Sequence, residues 1–268
     1  MCIQRKLFAQ GLLAVLFAGA VAAGTNPAAA QDNTEAATPP KLGWSFAGPF
    51  GTYDQAQLQR GLKIYHDVCS SCHSMSLVAF RNLADPGGPG YSPAQAAALA
   101  AQSKLTAADH FPAPNEAVLS AFPAKPPDMS VLAKARGYKR GFPGFVFDFF
   151  TQYQEQGPDY IAALLKGYEN PPAGVTVPTG TFYNKYFPSH NIAMPQPLTA
   201  GQIMYEDGTQ PTLENYSQDI AAFLMWAAEP RLVQRKRIGF QVIIYLIVLS
   251  GLLFLTKKKV WKAVEQPA

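Results

Sequence analysis

A mainly α-helical domain with long loops, followed by one C-terminal transmembrane helix, is the fold this sequence predicts. Three observations carry the expectation. Residues 238–256 read IGFQVIIYLIVLSGLLFLT, with Gln241 as the only strongly polar member; at 1.5 Å rise they span about 28 Å, close to the thickness of a hydrocarbon core. Upstream, apolar residues recur at helical spacing, as Leu58, Leu62, Tyr65, Val68, Cys69 and Cys72 in one segment and Ile220, Phe223, Leu224 and Ala227 in another. The 23 Pro and 21 Gly among 268 residues place long loops between such segments. A hydrophobic content of 48% is too high for a disordered chain, and Cys2, Cys69 and Cys72 allow no long-range disulfide framework because the last two lie three apart.

Taken in order, residues 1–30 read as a secretory signal. Arg5 and Lys6 form the charged start, residues 7–23 the apolar stretch, and Ala28-Ala29-Ala30 before Gln31 the small-residue cleavage pattern. An uncleaved N-terminal anchor is the alternative. Residues 31–237 form the exported domain. Between 31 and 230 there are 12 Lys and Arg against 17 Asp and Glu, a net charge of −5. The basic excess that gives the whole chain +4 lies beside the two hydrophobic segments, so nucleic acid is not an implied partner.

Asp54 or Thr52 can cap the first helix. Gly61 in its middle costs about 1 kcal/mol relative to Ala unless another element must approach closely, and a crossing helix would explain it. A second amphipathic helix is expected over 217–228, ended or kinked by Pro230. Basic residues at 235–237 and 257–259 bracket the span at 238–256, with Tyr245 and Trp261 as interfacial aromatics over membrane lipid. The flanking charges nearly balance, so the signal sets the orientation: the large domain is exported, the segment 238–256 crosses the membrane once, and the tail 257–268 stays in the cytoplasm.

Chemistry concentrates at Cys69-Ser70-Ser71-Cys72-His73, the attachment pattern of a c-type haem. Two thiols three apart can each form a thioether to a haem vinyl group, and the adjacent His73 then stands under the iron. A zinc half-site would need two further paired ligands. A thiol oxidoreductase would want a βαβ frame and has no use for the trailing histidine. For the second axial ligand, Met75 is too near His73 to reach the far face, and Met225 falls within an amphipathic helix. Met194, in Ile192-Ala193-Met194-Pro195-Gln196-Pro197, lies in a proline-stiffened loop able to present a thioether, with His190 its main rival. Arg136 is a candidate partner for a haem propionate or a solvated surface residue.

Longer segments resemble the bacterial cytochrome c1 family, the haem-bearing subunits of cytochrome bc1 complexes. They include WSFAGPFG at 44–51, Gln59-Arg60-Gly61, Pro126-Pro127-Asp128-Met129-Ser130, Lys134-Ala135-Arg136, Asp159-Tyr160-Ile161, Leu165-Lys166-Gly167-Tyr168, Tyr183-Asn184, Ile192-Ala193-Met194-Pro195, and FLMWAAEP at 223–230 before a basic cluster and the span. The resemblance covers nearly all of the mature chain. It implies a class I cytochrome c-like haem domain with one covalent haem c on Cys69 and Cys72, and iron ligation by His73 and Met194. It further implies that Arg136 contacts a propionate, that Pro127, Tyr160, Leu164 and Phe187 line the pocket, and that His190 is a loop residue. Some bacterial members carry an extra disulfide before the methionine loop, for which this chain has no cysteines.

The function implied is electron transfer without bond chemistry of its own. One electron would arrive from a Rieske iron–sulfur protein and leave to a soluble or tethered c-type cytochrome, with the anchor packed on cytochrome b. Two other readings compete: a self-standing membrane-tethered cytochrome c shuttle, and a periplasmic thiol oxidoreductase.

Overall fold

The computed structural model describes residues 36–265 apart from 121, 123, 138–140, 145 and 147–155, with side chains to 262; the signal segment expected at 1–30 lies outside the described residues. The described elements are α1 (Gln55–Asp67), 3-10 turns at Cys69–Ser71 and Phe80–Ala84, α2 (Pro93–Gln102), α3 (Glu116–Leu119) and α4 (Leu132–Ala135). They continue with α5 (Gln156–Lys166), a two-stranded hairpin of β1 (Phe182–Tyr183) and β2 (Asn191–Ile192), α6 (Leu213–Ala228) and α7 (Leu232–Glu265). The mainly helical, loop-rich expectation holds.

Asp54 starts α1, its side chain accepting from the Gln57 amide at 2.8 Å, so the acidic candidate rather than Thr52 caps the helix. Leu58, Leu62, Ile64 and Tyr65 bury one face. Gly61 lies on that face, where a Cβ would stand 2.3 Å from the Asp219 carbonyl oxygen and 2.5 Å from Phe223 Cβ. The crossing helix that the glycine implied is therefore α6.

α6 is the hub of the core, packing on α1, α4 and α5. Residues 216–227 of it are buried except Gln218, which includes Met225 as a core residue. The helix begins at Leu213, four residues before the expected start at 217. Thr212 caps it by accepting from the Asn215 amide at 3.2 Å, and Glu214 in the first turn favours the positive end of the helix dipole.

The buried Asp219 carboxylate would be costly alone. It accepts from Arg60 Nε at 2.9 Å and Nη2 at 3.1 Å and from the Tyr205 hydroxyl at 2.9 Å. On α5, the fully buried Asp159 accepts from Trp44 Nε1 at 2.8 Å and the Leu42 amide at 3.0 Å, tying the N-terminal loop to the core. The hairpin is antiparallel, with Phe182 opposite Ile192 and Tyr183 opposite Asn191.

Only residues 229–231 separate α6 from α7, consistent with the break expected at Pro230. Glu229 joins three elements there. Its carboxylate takes Lys134 of α4 and Arg235 of α7, and its carbonyl accepts from the Tyr53 hydroxyl at 3.1 Å. α7 runs beyond both limits of the apolar stretch at 238–256 because the basic residues on either side are good helix formers. Its apolar window has a mean hydropathy of 2.5 and none of it is buried. Tyr245 and Trp261 are exposed, and Lys257 lies 5.9 Å over the Trp261 ring.

Candidate haem site

Cys69 and Cys72 do not continue α1. The helix ends at Asp67 with Val68 as its cap, and the cysteines occupy the tighter 3-10 turn that follows. The Cys72 amide donates to the Cys69 carbonyl at 3.1 Å and the His73 amide to the same oxygen at 2.8 Å. Both thiols are free, Cys69 buried and Cys72 half-buried. Burial pushes the Cys69 thiol up to about 12, and Cys72 adds to the rise. A neutral buried thiol is a poor exchange nucleophile.

The His73 ring is buried, and its Nδ1 lies 2.8 Å from the Pro127 carbonyl oxygen. A carbonyl only accepts, so Nδ1 carries the proton and Nε2 keeps its lone pair. That is the tautomer an imidazole needs to ligate iron, and such a hydrogen bond fixes the ring and raises its basicity. Burial lowers the pKa of His73, against the Pro127 and Asp128 contributions, so the ring stays neutral.

The carbonyl is itself held in place. Asp128, next to Pro127, accepts from Ser74 Oγ at 2.8 Å, the Ser76 amide at 2.9 Å and the Ser130 amide at 2.8 Å. The Met129 amide donates to the Ser74 carbonyl at 2.8 Å, and the Leu77 amide to Ser130 Oγ at 2.9 Å. Burial would raise the Asp128 carboxyl, but these donors outweigh it and hold it well below the usual carboxylate range. Segments 73–77 and 127–130 thus form one stitched unit beneath His73.

A second group gathers Arg136, Tyr160, Tyr168 and Met194. Met194 is half-buried against the hydrophobic core, and its carbonyl accepts from the Tyr168 hydroxyl at 3.0 Å. Burial pushes the Tyr168 and Tyr160 phenols up; Tyr160 lies close enough to contribute to Tyr168, and Arg136 close enough to offset part of the rise at Tyr160. Arg136 itself is exposed at the C-terminal cap of α4.

The remaining expected residues are more dispersed. Leu164 is half-buried against the core and its carbonyl accepts from Asn184 Nδ2 at 2.7 Å. Phe187 is half-buried in the hairpin turn, its amide donating to the Asn184 carbonyl at 3.3 Å. His190 adopts a left-handed backbone with φ 57° and stacks on Tyr183 at 5.3 Å. Among the described residues no group of three or more His, Cys, Asp and Glu converges as a metal cluster.

The roles of Tyr168 and Asp128 escaped sequence reasoning although both stand in the quoted motifs. A tyrosine just past a helix and an aspartate after two prolines are weak signals, because what they do depends on partners far along the chain. The donor set suits a c-type haem: two free cysteines in one turn, an imidazole with an open Nε2, and a methionine on a loop held by its own carbonyl.

The chain is 51% identical over 96% of its length to cytochrome b/c1 of Bradyrhizobium diazoefficiens, of whose length it spans 40%. It is 46% identical to cytochrome c1 of Blastochloris viridis over 95% of both chains. Against a cytochrome c1 of Arabidopsis thaliana described as a mitochondrial heme protein, identity is 37% over 77% of this chain and 67% of that one. Residues 44–264 match the family model described as Cytochrome C1 family, which takes in the stitched turn, the methionine loop and the apolar helix, and by that match the chain belongs to the cytochrome c1 family.

Proposed function

We propose that this chain is the haem-carrying electron-transfer subunit of a cytochrome bc1 complex. Cys69 and Cys72 hold one haem c by thioethers, and His73 Nε2 and Met194 Sδ ligate the iron. The bound haem supplies a one-electron couple. The observation that carries the reading is the His73 Nδ1 contact with the Pro127 carbonyl at 2.8 Å, which leaves Nε2 unprotonated on the residue that follows the turn of two free cysteines.

The chain's own residues orient and shield. Asp128 braces the Pro127 carbonyl and Tyr168 holds the Met194 loop; in this reading Arg136 meets a propionate and Pro127, Tyr160, Leu164 and Phe187 line the haem pocket. A thioether on the iron raises the potential relative to a second imidazole, which suits a late carrier. The Cys69 thiol pushed up to about 12 speaks against thiol exchange. The junction of only residues 229–231 between α6 and α7 favours a fixed subunit over a tethered shuttle.

In this reading residues 1–30 are removed on export, 31–237 stand in the periplasm, 238–256 cross the inner membrane against cytochrome b, and 257–268 remain in the cytoplasm. A Rieske iron–sulfur protein delivers the electron and a c-type cytochrome removes it. The net −5 of residues 31–230 steers a basic acceptor, with a rate that falls as salt rises.

Purification of the tagged chain from its membrane tests the reading. Haem that stays with the chain under denaturing conditions, and cytochrome b and an iron–sulfur protein recovered with it, are expected. A chain recovered alone with full electron-transfer activity would contradict the complex, and haem lost on denaturation would contradict the thioethers.

A further inference from the structure

The loop at 46–52 is closed by backbone hydrogen bonds and presents an aromatic ring to the start of the anchor. The Ala47 amide donates to the Trp44 carbonyl and the Thr52 amide to the Ser45 carbonyl, each at 3.0 Å. Gly51 closes the turn where a Cβ would stand 2.1 Å from the Ala47 carbonyl oxygen. Lys236 of α7 donates to the Phe46 carbonyl. Phe50, 73% exposed, meets Phe240 edge-on with ring centroids 5.4 Å apart.

Between this loop and α7 lies a groove of about 420 Å³. Its lower wall is Phe50, Phe240 and Ile244, its upper end Lys236 and Arg237, and no carboxylate is among the residues that line it. Residues 237, 240 and 244 follow one face of α7 over about 10 Å at 1.5 Å per residue. The two cations precede the apolar stretch while the aromatic wall stands in its first turns. A groove that is cationic at the level of the membrane surface and apolar just below it has the amphipathic profile of a single anionic phospholipid.

We propose that this groove binds one anionic phospholipid, its phosphate on Lys236 and Arg237 and an acyl chain along Phe50, Phe240 and Ile244, so that the hydrogen-bonded loop and the anchor share a lipid. The inference rests on α7 crossing the membrane. A bilayer-wide field of loose lipid does not produce it, because the headgroup selectivity comes from two side chains at one end of a preformed slot.

The test places the haem-loaded full chain in nanodiscs of phosphatidylcholine containing a minor fraction of a photoactivatable phospholipid with a diazirine in its acyl chain. The probe carries either a phosphatidylglycerol or a phosphatidylcholine headgroup. Cross-links are mapped by mass spectrometry. Phosphatidylglycerol cross-links concentrated on residues 49–52 and 240–244, exceeding those of phosphatidylcholine and falling about fivefold in Arg237→Gln, are expected. A Phe50→Ser chain should lose the loop cross-links while keeping those at 246–254. Equal labelling by both headgroups, or loop labelling absent while 246–254 is still labelled, overturns the lipid site and leaves the span standing. Absence of labelling at 246–254 overturns the span and the site together.

Discussion

Gly61 and Asp219 meet where α1 crosses α6, at a separation that leaves 2.3 Å between an added Cβ and the Asp219 carbonyl oxygen. α1 leads into the Cys69–His73 turn and α6 is the hub of the core, so their spacing sets where that turn sits. Gly61→Ala must push backbone apart, since the obstructing atom belongs to a helix and cannot rotate away. Its gain in helix propensity is smaller than the overpacking cost, and a net loss of about 1–3 kcal/mol is expected. An unchanged denaturant midpoint for the Gly61→Ala chain would show that the crossing is looser than described.

Glu229 ties α4, the end of α6 and the start of α7 through Lys134, Arg235 and Tyr53. Burial would raise its carboxyl, but Lys134 and Arg235 outweigh that and lower it. A depressed folded pKa gives stability that is present above the unfolded value near 4.3 and lost as pH falls through the folded one. Glu229→Gln should therefore cost about 1 kcal/mol at pH 7 and almost nothing at the acid limit. Thermal melts of both chains between pH 7 and pH 3 should converge on the acid side; curves that stay parallel would contradict the clamp.

Asp128 holds the carbonyl that holds His73. Asp128→Ala removes three hydrogen bonds to a carboxylate and should destabilise by about 2 kcal/mol. It should also free the imidazole, lowering the haem potential or broadening the low-spin spectrum, whereas Asp128→Asn keeps one acceptor and recovers part of both. Equal spectra for all three chains would reduce Asp128 to a loop brace.

Tyr168→Phe keeps the ring and removes the donor to the Met194 carbonyl. Little change in stability is expected, about 1 kcal/mol. The Met194 loop should open more often, so carbon monoxide should bind the reduced protein faster than in the parent chain. An unaltered rate would mean that Pro195 and Pro197 alone hold the loop.

These elements differ in how far they can be read from sequence, for physical reasons. α1 and α6 declare themselves because burial imposes a repeat on consecutive residues, the span because it is apolar on every face over its whole length, and Gly61 betrays a crossing because a helix keeps a mid-helix glycine only at some cost. The partner in that crossing lies more than 150 residues away and leaves no local trace. Cys69 and Cys72 continue the helical apolar spacing and so read as helix, yet the chain tightens to a 3-10 turn there. The start of α6 at Leu213 is hidden from the apolar repeat because Tyr216 is buried through a hydroxyl that accepts from the Ile203 amide at 2.8 Å, an interaction outside any such repeat. Asp128, Tyr168 and Phe50 act through contacts between distant loops, which periodicity does not encode.

Redox potentiometry with visible spectra on the haem-loaded full chain, compared with Met194→Leu, reaches the core of this account most directly. Loss of the thioether should lower the midpoint by on the order of 0.1 V or more and alter the ferric spectrum, with haem still bound through Cys69 and Cys72. A midpoint and spectrum identical to the parent chain would show that Met194 is not on the iron.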